Sequence, residues 1–220
     1  MSRALTVSLG AIIGLIIAVT ARSLIKKIAT QIDAPLKILV PIGCISGLVF
    51  AELIRYRFEA VELQICFAVL CAGLVVQSMI DAYTHQLVRQ ITHAVAISGV
   101  AILSFYSLQN SSRQSFVGAC VCATVGVVFA VVINKISRGS LGSGDVRLMA
   151  VLGWHLGFLS YSAAIWALFA SSLLAGVVGL VLIMLGRGSW QRRIAFGPFL
   201  ALGTVLAIFA DEVLPSLLIA

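Results

Sequence analysis

Charged side chains are scarce in this chain. Asp, Glu, Lys and Arg make up 10% of its 220 residues, against roughly 25% in an average soluble domain. So few charges cannot cover the surface of a water-soluble fold of this length, so apolar surface must face lipid. One membrane domain over residues 1–220 is expected, with no room for a second sizeable soluble domain. Cys-x-x-Cys pairs are missing as well. The five cysteines (Cys44, Cys66, Cys71, Cys120 and Cys122) all fall inside apolar stretches. That excludes a zinc site of the usual ligand spacing and makes them small buried hydrophobes. Internal repeats, low-complexity tracts and long linkers are absent too. Acidic residues number 8 against 15 Lys and Arg, a net charge of +7. In a soluble protein this balance would suggest nucleic acid. Here the basic residues stand mostly in short stretches between apolar runs, which the positive-inside rule explains, and no nucleic-acid partner is expected.

Long apolar runs are what the chain does have. A helix needs about 20 apolar residues to cross the roughly 30 Å hydrocarbon core. Residues 4–21, 36–54, 61–80, 91–108, 115–134, 161–185 and 195–217 meet or approach that length, and a shorter apolar piece covers 146–158. The expected fold is an all-α polytopic membrane bundle of about eight transmembrane helices, one of them short. With 146–158 counted as a crossing, 22–35 (Arg22, Lys26, Lys27), 81–90 (Arg89), 135–145 (Lys135, Arg138) and 186–194 (Arg187, Arg192, Arg193) share one side. They hold the basic excess, so that side is cytoplasmic and both termini lie outside. The first apolar run resembles a signal sequence ending near Ala21, but the basic cluster after it favours a retained helix.

Two carboxylates stand at the cytoplasmic ends of apolar runs. Asp81 follows Val75-Val76-Gln77-Ser78-Met79-Ile80, and Asp145 precedes Val146-Arg147-Leu148-Met149. Ionisable groups at such depth are costly and mark function by default. The plainer reading is a helix-end carboxylate, with Asp145 capping the helix it begins. Asp145 lies in Gly142-Ser143-Gly144-Asp145. Its glycines permit unusual backbone angles and leave a substrate backbone room to approach, which a simple cap does not require. A second glycine-containing element, Phe196-Gly197-Pro198-Phe199, reads as a helix start near Gly197, since proline suits a first turn. His85 stands four residues after Asp81, one helical turn away.

These elements together resemble the type IV prepilin peptidases and the related archaeal preflagellin peptidases. The resemblance rests on Asp81 with Leu87 after it, on the block from Gly142 through Asp145 and Ala150 to Gly153-Trp154-His155-Leu156-Gly157, and on Phe196 to Gly203. It covers about residues 65 to 205. It implies an intramembrane aspartic endopeptidase with Asp81 and Asp145 as the catalytic pair. Gly142, Gly144, Arg147, Phe196, Gly197 and Pro198 would shape the site or bind substrate, and neither metal nor other cofactor is needed. The implied partners are prepilins or pseudopilins, whose short basic leader is removed on the cytoplasmic side of the plasma (inner) membrane, and the lipid bilayer. Two close carboxylates do not both ionise readily, so one would act as general base on water and the other as general acid.

The chain departs from the family pattern at three places. Val88 stands where many members have proline, Arg147 where lysine is usual, and Ala195 where proline often precedes the Phe-Gly-Pro segment. Longer members carry a cysteine-paired cytoplasmic insert after the first helix, associated with N-methylation of the product. Here 22–35 is short and has no cysteine, so peptidase activity is expected and methyl transfer is not. The competing reading is a small ion- or proton-coupled transporter using the same carboxylates. It lacks support from an internal repeat.

Overall fold

The computed structural model describes residues 3–29, 34–136, 142–185 and 196–210, with side chains from Thr6 onward. The described residues form eight helices and no strand: α1 (Arg3–Ile28), α2 (Leu36–Arg57), α3 (Val61–Thr84), α4 (Arg89–Gln109), α5 (Arg113–Ile136), α6 (Ser143–Leu159), α7 (Tyr161–Met184) and α8 (Gly197–Ala210). Among these, α2, α3, α4, α5, α7 and most of α1 (Thr6–Ile28) are long and apolar enough to cross a membrane. Large apolar side chains such as Ile12, Ile16, Ile97, Ile165 and Met184 point outward. Such a surface suits lipid and not water. The chain is a multi-pass membrane protein with an all-helical fold.

The first five apolar runs and 146–158 sit inside their helices, which mostly outrun them; 161–185 ends one residue beyond α7, and of 195–217 the described helix covers 197–210. α1 carries Arg22, Lys26 and Lys27 within its last turns, and α2 carries Arg55 and Arg57. α3 continues past Ile80 through Asp81 to Thr84. The reason is physical. An apolar run reports the thickness of hydrocarbon, whereas a helix ends where its backbone bonding ends, and Arg and Lys are good helix formers. The basic stretch 186–194, most of the Gly/Ser-rich stretch before Gly142, and Ala195 lie outside the described residues.

The chain forms two compact units, 1–110 and 111–220. In the first, α3 packs against α1, α2 and α4. Its core joins Ile17, Ala18, Ala21 and Ile25 of α1 to Leu39 of α2 and Met79 and Ile80 of α3. The α2–α3 corner is fastened by Phe58 stacked on Phe67, ring centroids 4.5 Å apart, and by the Gln64 amide donating to the Phe58 carbonyl at 2.7 Å. In the second unit α6 packs against α5, α7 and α8. Ser160 caps α7, accepting from Ala163 N–H at 2.9 Å.

Helix pairs close on small residues. Gly10 and Gly14 of α1 lie against Gly47 and Gly43 of α2, and a Cβ at Gly10 would stand 2.8 Å from the Gly47 carbonyl oxygen. On α6, Gly153 and Gly157 lie against Cys122 and Gly118 of α5. This spacing of four, which puts small residues on one helix face, lets backbones approach where no hydrophobic driving force exists between helices in lipid.

Candidate active site

Asp81 sits in the last turn of α3 and is buried, 5% exposed. α3 is the helix that the other three of its unit surround, so Asp81 stands at the end of the unit's central element. The helix stops three residues later. His85 takes a left-handed conformation, φ 52° and ψ 35°, and its N–H bonds the Asp81 carbonyl at 2.8 Å. His85 thus closes the helix instead of continuing it, and its exposed side chain does not share a helical face with Asp81.

The short connection to α4 is held by a side chain from within α3. The Gln77 amide donates to Thr92 Oγ1 at 2.7 Å, and its carbonyl oxygen accepts from Val88 N–H at 2.8 Å. The Thr92 hydroxyl in turn reaches the Val88 carbonyl at 3.3 Å. Gln77 and Thr92 are 2% and 3% exposed. At that burial a polar group is stable only when its bonds are made, and here they are. Gln77 is not among the residues that the sequence motifs single out. Its one outward sign was a lone amide in an apolar run one turn before an aspartate.

Asp145 stands in the first turn of α6, half-buried, on the helix that α5, α7 and α8 surround. It is not the cap. Gly142 is the capping residue, and its carbonyl accepts from Asp145 N–H at 3.0 Å. The unbonded N–H groups of a first turn place partial positive charge beside the carboxylate. Gly142 has φ −66° and ψ 145°, ordinary extended backbone, and Gly144 is helical. The expectation of unusual backbone angles is therefore corrected at both glycines. What Gly142 provides is space: a Cβ there would stand 3.1 Å from Asp145 Oδ2. Arg147 is half-buried on the following turn. His155 lies further along, fully buried, its Nδ1 2.7 Å from the Val151 carbonyl of its own helix.

α8 begins at Gly197, as the Gly-Pro pair implies. Pro198 falls in the first turn, where a missing N–H costs nothing, and the Phe196 carbonyl accepts from Phe199 and Leu200 N–H. Phe196 and Pro198 are half-buried and Gly197 is buried. These residues share the second unit with Asp145, while Asp81 belongs to the first. Among the described residues no group of three or more His, Cys, Asp or Glu side chains could hold a metal ion. Of the cysteines, Cys66 and Cys71 are buried, Cys44 and Cys122 are partly so, and Cys120 is exposed on apolar α5. Burial of all five, as the sequence suggested, is thus corrected: a small thiol tolerates a lipid-facing position as well as a core one.

The model of the type IV leader peptidase family matches residues 68–180 of this chain. The chain belongs to that family. The matched stretch contains both Asp81 and Asp145 and ends before α8. Among curated relatives, a prepilin leader peptidase/N-methyltransferase of Bacillus subtilis (strain 168) is 31% identical over 105 residues, 47% of this chain and 41% of the relative. One of the same name from Burkholderia pseudomallei (strain 1026b) is 30% identical over 142 residues, 64% of this chain and 44% of the relative. One from Legionella pneumophila is 25% identical over 183 residues, 81% and 61%. The chain thus spans less than two thirds of each of these relatives. No solved structure matches it.

Proposed function

We propose that this chain is an intramembrane aspartic endopeptidase that removes the short basic leader from type IV prepilins or pseudopilins. Asp81 and Asp145 are its catalytic pair. The observation that carries the reading is the family match, which takes in both aspartates within residues 68–180. Their placement supports it: each stands at one end of the central helix of its unit, Asp81 at the C-terminal end of α3 and Asp145 in the first turn of α6. In the proposed mechanism the ionised member takes a proton from water as it attacks the scissile carbonyl. The protonated member hydrogen-bonds that carbonyl and then protonates the leaving amine. The two titrate as a pair, so neither role is tied to one residue. Gly142, Gly144 and Arg147 beside Asp145, and Phe196, Gly197 and Pro198 at the start of α8, shape the site. The distribution of basic residues supports cleavage on the cytoplasmic side of the inner membrane, with both termini outside. The reading is confined to peptide cleavage, because the connection between α1 and α2 is short and free of cysteine.

The test is maturation of a co-expressed prepilin in membranes. Asp81→Ala and Asp145→Ala are each expected to lower the cleavage rate by about 10²- to 10⁴-fold while inserting normally. Near wild-type cleavage by either variant removes that aspartate from the mechanism. Absence of wild-type cleavage across several prepilins removes the peptidase reading itself.

A further inference from the structure

Val88 is one of the three places where the residues depart from the pattern that the resemblance implies, and the structure shows what holds it. Val88 caps α4 with no side-chain cap of its own, at φ −78° and ψ 113°. That φ lies inside the range to which a proline ring is confined. The backbone conformation is therefore the one proline imposes. The remaining difference is an N–H that proline lacks, and the buried Gln77 carbonyl oxygen accepts it at 2.8 Å. The other end of the same amide holds Thr92, one turn into α4. Gln77 lies one turn before Asp81 on the same face of α3. The clamp and the left-handed stop at His85 therefore bracket Asp81 from both sides.

We propose that Gln77 is a positioning residue for Asp81: its buried amide clamps the α3–α4 turn through Val88 and Thr92, where proline at 88 would restrain it covalently. The inference rests on the reading of Asp81 as one of the catalytic pair. With valine and no amide, the half-buried Val88 N–H is left without its acceptor and the turn loses its anchor. With proline and no amide, there is no N–H to satisfy and φ is held by the ring. Gln77 and Val88 are therefore expected to be interchangeable only as a pair.

A double-mutant cycle in the full chain tests this, using a prepilin that the wild type cleaves and measuring kcat and KM. Gln77→Leu is expected to lower kcat by about 10- to 100-fold, the scale of a misplaced reacting group, with KM within about threefold. Adding Val88→Pro to Gln77→Leu is expected to restore kcat to within about threefold of wild type. Wild-type kcat for Gln77→Leu overturns the proposal, and so does a folded double variant that stays as impaired as the single one. If Gln77→Leu alone does not accumulate, the double variant decides: accumulation with activity supports the clamp, and failure of either overturns it. Asp81→Asn runs alongside. If it keeps wild-type activity, the catalytic reading of Asp81 fails and takes this inference with it. If it is inactive while Gln77→Leu is not impaired, only the inference fails.

Discussion

At position 142 a single methyl group decides how Asp145 can be held. A Cβ there would stand 3.1 Å from Oδ2, tighter than ordinary contact, so the carboxylate must shift by a few tenths of an ångström. Gly142→Ala is expected to lower prepilin cleavage by about tenfold. Ser143→Ala, at the exposed neighbour, is expected to leave it unchanged. Equal rates for the two variants would show that the carboxylate does not need its present position. That a glycine belonged at 142 was legible from the residues alone. Its reason was not: the sequence suggests backbone freedom, while the backbone is ordinary and the space is what matters. The role of Gln77 was not legible, because a lone amide in an apolar run does not say that it will find the Val88 N–H 11 residues later.

At the scale of elements, the same glycine has opposite meanings in different helices. A Cβ at Gly153 on α6 would stand 2.5 Å from the Cys122 carbonyl oxygen, a backbone atom that cannot yield unless α5 moves. Gly153→Ala is expected to destabilise the protein by about 1–3 kcal/mol, the usual penalty of overpacking. Gly176 on α7 has nothing within 4 Å of its Cβ position. Gly176→Ala is expected to be neutral or to stabilise by up to about 1 kcal/mol through helix propensity. Thermal unfolding of both variants in detergent checks the pair, and a similar shift for both would contradict the packing described. Small residues four apart, as in Gly10-x-x-x-Gly14 and Gly43-x-x-x-Gly47, were visible in the sequence. Which helix each stripe faces was not, since that depends on the pairing of α1 with α2 and of α5 with α6.

At the scale of the whole molecule, orientation in the bilayer is the property the charge pattern bears on most directly. In a background free of native cysteines, His85→Cys and Ser143→Cys are expected to resist a membrane-impermeant maleimide in intact cells and to react after permeabilisation. Asn110→Cys is expected to react in intact cells. Reversal of all three would invert the proposed topology. α6 has 17 residues, about 26 Å of helix at 1.5 Å per residue, just short of the roughly 30 Å hydrocarbon core. Tyr161→Cys, just after it, is expected to label from outside, and labelling from the cytoplasmic side would mean that α6 does not cross.

The sequence by itself determined the all-helical membrane fold, the number and approximate place of the helices, and the two aspartates that stand at helix ends. Those properties depend on hydropathy over some 20 consecutive residues and on local backbone preference. Only the tertiary structure decided that α3 and α6 are the central helices of their units. It also decided that Gly142 makes room for a carboxylate, and that Gln77 fastens the turn beyond Asp81. The Gly142 contact depends on the exact backbone geometry at the start of α6. The other two depend on side chains or backbones that meet through folding, at distances set by how closely two helices approach. That approach is fixed by which small residues happen to face each other, and not by any property of one stretch of chain.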